Sequence, residues 1–248
     1  MRFEREQWSL MGASVRGAAH VRAGLPNQDA WHGRLSRSHG VIVVCDGLGS
    51  RPRSADGARA ACRAVADALR RWQRVPQADP QLVLRLVHAS WNLLVDPLGR
   101  EACATTCLFG AVLGDGRIVL AQLGDGLAAL KTGREFLALP ANGDGFGNMT
   151  TGLGIASDLR EWCIQVLPPP QGAAALVLAG DGIADDLLPE RRADFLDHLI
   201  RRHGAGRNGG RALAAALRAW PTPRHLDDKT VAVLWNQEAP RQMEQTNE

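Results

Sequence analysis

Residues 41–45 read Val-Ile-Val-Val-Cys and run straight into Asp46-Gly47. Four β-branched residues and a cysteine, closed by turn residues, form the pattern of a buried central strand. The strand delivers the carboxylate of Asp46 to its end, where Gly47 lets the backbone turn away. The same pattern recurs downstream. Residues 118–124 end on Asp125-Gly126, and residues 175–180 end on Asp181-Gly182. Three buried strands thus each hand an aspartate to a rim. Like charges brought together repel, and each is costly to take out of water. A bound divalent cation is the simplest way to keep several carboxylates ionised in one place.

The rest of the chain fits strands and helices around that arrangement. Residues 8–15 alternate weakly and predict an opening strand, residues 17–28 are irregular, and residues 29–35 predict a second strand. A helix is expected from Ser54, read as its N-cap, with Ala58, Ala61, Cys62, Val65, Leu69 and Trp72 at helical spacing. A second helix spans 81–95, with Leu82, Leu86, Ala89 and Leu93 on one face. From residue 105 the period changes to that of strands. Runs at 105–113 and 117–123 flank Gly114-Asp115-Gly116, a hairpin signal, and 127–130 and 135–139 continue the meander. Residues 142–158 form a long Gly-, Asn- and Thr-rich loop in which Phe146, Met149 and Thr151 could shape access to a site. Strands are expected at 162–167 and 174–179, helices at 189–202 and 209–220, and a last strand at 230–235. This order predicts an α+β sandwich in one domain over residues 1–236, followed by a polar tail at 237–248.

Composition narrows the function classes. The net charge is +3, carried almost wholly by arginines scattered as singles and doublets, with Lys131 and Lys229 as the only lysines. No basic tract forms, so the pattern speaks for solvated helix faces and against a nucleic-acid groove. Cys45, Cys62, Cys103, Cys107 and Cys163 contain no Cys-x-x-Cys pair and lie mostly in apolar runs. They read as buried thiols of a reducing compartment. With no apolar leader behind Met1 and no long apolar run, a cytoplasmic protein without membrane contact is expected.

Asp-Gly pairs are common turns, and Asp115 and Asp144 read as such. Asp46, Asp125 and Asp181 instead follow central-strand runs, and Asp185 and Asp227-Asp228 add acid at strand edges. Oxygen donors without a His or Cys cluster point to Mg²⁺ or Mn²⁺ rather than zinc. In order, the chain carries Asn27-Gln28-Asp29-Ala30, Asp46-Gly47-Leu48-Gly49-Ser50, Thr105-Thr106, Leu123-Gly124-Asp125, Gly180-Asp181-Gly182-Ile183 and Asp227-Asp228-Lys229-Thr230-Val231. Over about residues 10–236 this resembles the metal-dependent Ser/Thr protein phosphatases, the PPM or type 2C family, in particular its small bacterial branch.

The resemblance implies a four-layer αββα sandwich, two antiparallel sheets flanked by helices, with two metal ions in a channel at one edge. It implies that Asp46 bridges both ions and that Asp181 and Asp227 complete the coordination of the first. Asp29 and the Gly47 carbonyl would serve the second ion, and Asp125 and Asp185, with Asp181, a third and weaker one. Asp228 would orient the strand rather than ligate. The phosphate-holding arginine of many relatives corresponds to Arg22 or to His20, Leu48 stands where eukaryotic members often have His, and Gln28 replaces a frequent acid. The activity implied is hydrolysis of phosphoserine or phosphothreonine in a phosphorylated protein by a water activated between two Mn²⁺ or Mg²⁺ ions. A Ser/Thr kinase is the implied partner. Two other readings stay open: a catalytically silent relative that binds phosphoproteins as a regulator, and a metal-dependent nuclease sharing the acid cluster.

Overall fold

The computed structural model describes residues 8–36, 39–75, 77–133, 135–140, 151–204, 208–220 and 226–236. The expected polar tail at 237–248, Asp144, and Phe146 and Met149 of the long loop lie outside the described residues. In chain order the first elements are β1 (Trp8–Val15), α1 (Ala18–Arg22), β2 (Ala30–Leu35), β3 (Gly40–Cys45), α2 (Ser54–Trp72) and α3 (Gln81–Val95). There follow β4 (Cys107–Val112), β5 (Ile118–Leu123), β6 (Leu127–Thr132), β7 (Glu135–Ala138), β8 (Cys163–Leu167) and β9 (Ala174–Ala179). The chain closes with α4 (Asp181–Ala184), α5 (Arg192–His203), α6 (Gly209–Arg218) and β10 (Lys229–Asn236).

The strands form two five-stranded sheets, ordered β1-β10-β9-β6-β7 and β2-β3-β4-β5-β8, with every pairing antiparallel. The side-chain period of two explains why the central strands are apolar throughout. In β3, Val41, Val43 and Cys45 face the core beneath α2 and α3, while Ile42 and Val44 face the other sheet. In β9, Ala175, Val177 and Ala179 pack toward Leu196 and Leu199 of α5 and Leu213 and Leu217 of α6, while Leu176 and Leu178 enter the inter-sheet core. Both faces are covered, so no position calls for a polar residue. The result is the expected αββα sandwich.

Local differences from the sequence reading have tertiary causes. Ser54 is not the N-cap of α2. Arg53 takes that position without a side-chain cap, and its amide donates to the Ala102 carbonyl at 2.9 Å. The helix start is therefore set by the segment ahead of β4. Farther in, Gly57 packs against the same segment, where a Cβ would fall 1.7 Å from the Cys103 carbonyl oxygen. Trp91 of α3 donates its indole N–H to the Gly57 carbonyl at 3.0 Å. The helix expected at 189–202 begins as a single 3₁₀ turn, Pro189–Arg191, before α5.

Gly57→Ala should force α2 away from residues 101–103 and destabilise the protein by roughly 1–3 kcal/mol, the usual range for overpacking. Urea unfolding checks this, and an unchanged midpoint would mean that α2 is free to shift.

Candidate active site

Strand register brings the acids together. Ala30 pairs with Cys45, so Asp29 and Asp46 fall opposite one another on the next rung. Val231 pairs with Ala179, and the Gly180 amide donates to the Thr230 carbonyl at 3.0 Å, which brings Asp181 to the same end as Asp227 and Asp228. Leu127 also pairs with Ala179, drawing the turn that carries Asp125 alongside. Residues 29, 46, 125, 181 and 227 thus reach one edge of the sandwich from both sheets.

The backbone of Asp46 is held on both sides. Its carbonyl accepts from the Thr106 amide and the Thr105 hydroxyl, both at 2.8 Å, and its amide donates to Thr106 Oγ1 at 2.9 Å. Gly47 and Thr105 form the pair between two ladder bonds, Thr106 N–H to Asp46 and Leu48 N–H to Ala104. In that geometry the Gly47 carbonyl points away from its partner strand. A Cβ at Gly47 would lie 2.8 Å from both the Gln28 carbonyl oxygen and Ser54, so only glycine fits this crossing.

The carboxylates are crowded and poorly served by donors. A Cβ built on Gly180 would lie 3.5 Å from Asp29 Oδ2 and 3.6 Å from Asp46 Oδ2, so both oxygens face one point. Both oxygens of Asp29 and Oδ1 of Asp181 are sealed from solvent without a hydrogen bond of good geometry. Burial pushes the Asp29 carboxyl up to about 7, with the charges of Asp228 and Asp181 adding to it and the nearness of Thr230 and Asp46 offsetting part. Burial, and then the charges of Asp29 and Asp181, push Asp46 well above the usual carboxylate range. Unpartnered hard oxygens converging in a dry place fit a pair of divalent cations, which would supply the missing positive charge.

Asp228 lies beside this group with a different task. It is 2% exposed, and its two oxygens accept the Gly17 and Gln28 amides, each at 2.6 Å. His20 Nδ1 stands 2.9 Å from Asp228 Oδ2 and 4.0 Å from Asp227 Oδ1. The donor atoms of His20, Asp227 and Asp228 lie within 4.8 Å of one another. The two amides occupy Asp228, however, and tie the β1–α1 turn and the approach to β2 onto the start of β10.

A cleft of about 390 Å³ opens over these residues. Asp46, Asp125, Asp181 and Asp227 line it, with Leu48 and Ile155 as apolar walls. Asp29 is buried and not part of its lining. Asp185 is exposed and stands one turn of α4 beyond Asp181, its amide donating to the Asp181 carbonyl at 3.0 Å. Of the two residues expected to hold phosphate, His20 lines the cleft. Arg22 is exposed and donates from Nε to the Ala18 carbonyl at 3.2 Å, outside the cleft lining. The lining also contains Arg51 and Thr106, which the sequence reading did not single out. Thr106 had a signal in the Thr105-Thr106 motif. Arg51 sits five residues beyond Asp46 in the same loop, a shorter path than the one that drew attention to Arg22.

The family model for protein phosphatase 2C matches residues 16–220. The chain belongs to the protein phosphatase 2C family. No curated protein matches it in sequence. Solved structures of similar fold include the S. agalactiae serine/threonine phosphatase, 17% identical over 93% of this chain and 100% of that one, with a TM-score of 0.63. The catalytic domain of the serine/threonine protein phosphatase PstP, in complex with two manganese ions, is 19% identical over 93% and 99% of the two chains, with a TM-score of 0.62. RsbX in complex with magnesium is 13% identical over 95% and 98%, with a TM-score of 0.60.

Two outcomes follow from the crowded acids. A carboxyl raised to about 7 in the fold, against roughly 4 in the unfolded chain, contributes stability that is full below pH 4 and lost as pH rises through 7. The metal-free protein should therefore melt at a lower temperature at pH 8 than at pH 5. Asp29→Asn should lessen the difference, and Mn²⁺ should restore stability most at pH 8. A pH-independent melting temperature would show that the acids are not forced together.

Asp228→Ala should remove the acceptor of two amides at roughly 1–3 kcal/mol each, and Asp228→Asn, which keeps one oxygen, should lose less. Denaturant midpoints of the two variants decide this.

Proposed function

We propose that the protein is a Mn²⁺- or Mg²⁺-dependent phosphatase that hydrolyses phosphoserine or phosphothreonine in a partner protein, with residues 1–236 as one catalytic domain. The observation that carries the reading is the convergence of Asp46, Asp181 and Asp227 in the lining of one cleft with Asp29 buried behind Asp46, the oxygens of Asp29 and Oδ1 of Asp181 being buried without donors. Asp46 would bridge two ions, Asp181 and Asp227 would complete one shell, and Asp29 and the Gly47 carbonyl the other. Asp125 and Asp185, with Asp181, would hold a third. Bound there, the ions would acidify a water and neutralise charge on the phosphoryl oxygens.

The chain's own residues do the positioning. Thr105 and Thr106 fix the backbone of Asp46 from the neighbouring strand. Asp228 fixes the Gln28 backbone that precedes Asp29. Leu48 and Ile155 keep one side of the cleft apolar, which strengthens the electrostatic interactions within it. Phosphoryl transfer asks little more of side chains than such placement.

All five cysteines are free thiols, which suits a cytoplasmic setting. Among the described residues, no helix is long and apolar enough to cross a membrane. A cognate Ser/Thr kinase remains the natural counterpart of the substrate.

Asp46→Asn and Asp181→Asn should each reduce hydrolysis of p-nitrophenyl phosphate in Mn²⁺ by at least about a hundredfold, as removal of a charged group acting in the transition state does. Chelator should do the same to the wild type. Full activity in either variant defeats the reading. Calorimetric binding of Mn²⁺ by a wild type inert toward phosphoproteins would favour a silent regulatory relative.

A further inference from the structure

Arg51 occupies an unusual electrostatic position. It is the only arginine or lysine among the described residues that line the cleft, and four aspartates share that lining. Even so, among the described residues it forms no ion pair within 4.0 Å, and its Nε is sealed from solvent without a partner. An arginine beside several carboxylates ordinarily folds onto one of them in a bidentate pair. Here Arg51 makes no such pair.

The loop is pinned at both ends. Leu48 N–H donates to Ala104 at 3.0 Å, Arg51 N–H closes a turn on Leu48 at 2.8 Å, and Arg53 N–H donates to Ala102 at 2.9 Å. Gly47 is wedged against Gln28 and Ser54. Short backbone hydrogen bonds therefore tether the Arg51 backbone close to Asp46, and the side chain of this cleft-lining residue keeps its donors unspent. The planar fork of a guanidinium matches two oxygens of a phosphate.

We propose that Arg51 is the phosphate-binding residue of this cleft, receiving the phosphoryl oxygens of a phosphate monoester. The assignment rests on the phosphatase reading for its substrate class, and it replaces Arg22, whose guanidinium bonds its own helix outside the cleft. Arg51 comes from the same loop as Asp46, so the anion-binding group and the first metal-holding carboxylate move as one body. Its role is to hold the phosphoryl group in register with the acids.

The test is calorimetric titration of inorganic phosphate into Mn²⁺-loaded wild type, Arg51→Ala, Arg51→Lys and Arg22→Ala, with steady-state kinetics on p-nitrophenyl phosphate. Arg51→Ala should weaken phosphate binding by about tenfold or more, the scale of one charged hydrogen-bonding partner, and raise KM in proportion. Arg51→Lys should recover part of the binding, since it restores the charge without the fork. Melting temperature and Mn²⁺ affinity of the Arg51 variants should stay near wild type, separating lost anion binding from a damaged loop. Unchanged phosphate affinity in Arg51→Ala, absence of phosphate binding by the wild type, or a loss confined to Arg22→Ala would each overturn the assignment. A wild type that binds phosphate through Arg51 yet hydrolyses nothing would instead defeat the phosphatase reading and leave the arginine's role standing.

Discussion

The structure depends on one electrostatic conflict, the confinement of several carboxyl groups at a single edge of a sandwich where few donors reach them. Such a group is tolerated only with a proton or a cation beside it. The fold enforces the conflict rather than relaxing it. Asp29 and Asp46 sit on facing rungs of one ladder, and Gly180 leaves the gap into which both point. Separating them would require breaking strand pairing in a sheet whose two faces are both buried. The core of the sandwich therefore holds the charges at a spacing they would not choose, which makes the site receptive to divalent ions. The raised Asp29 and Asp46 carboxyls are the same fact seen from the proton's side.

Asp227 and Asp228 show how finely backbone direction divides these roles. They are neighbours in sequence at the mouth of β10. Asp227 is exposed and lines the cleft, while Asp228 is almost fully buried with an amide on each oxygen. Adjacent residues entering a strand point to opposite sides. One therefore meets the cleft, and the other ties the β1–α1 turn and the segment ahead of β2 to the start of β10. A buried carboxylate with a backbone amide on each oxygen is engaged by the fold, so its identity as an aspartate reflects architecture.

How much of this could be read from the chain follows from which signals are local. The central strands announced themselves because burial on both faces removes polar residues, and the runs ending at Asp46, Asp125 and Asp181 carried the site's location with them. The bounds of β1 and β9 coincide with those expected. By contrast, α1 has no buried residue and hence no amphipathic signature. It is positioned by the Ala19 amide on the Leu226 carbonyl, a contact across most of the chain. Ser54 looked like a cap, yet the start of α2 is set by residues 101–103. Arg22 stood out because it lies seven residues before Asp29, and sequence nearness says nothing about the side of a helix on which a guanidinium falls. The direction of Arg51 is likewise set by long-range contacts of its loop.

The balance of charge in the cleft also orders its chemistry. Carboxylates outnumber the one guanidinium among the described lining residues, so a phosphate dianion approaching the bare cleft meets a surplus of negative charge. Arg51 alone cannot reverse that field. Protons could neutralise the acids at low pH, but they would also turn the ligand from dianion toward monoanion and weaken its hold on the arginine. Divalent cations neutralise the acids and leave the dianion intact. In the proposed arrangement, anion binding by Arg51 would be conditional on cations among the aspartates, and the two kinds of site would be thermodynamically coupled although they share no atom.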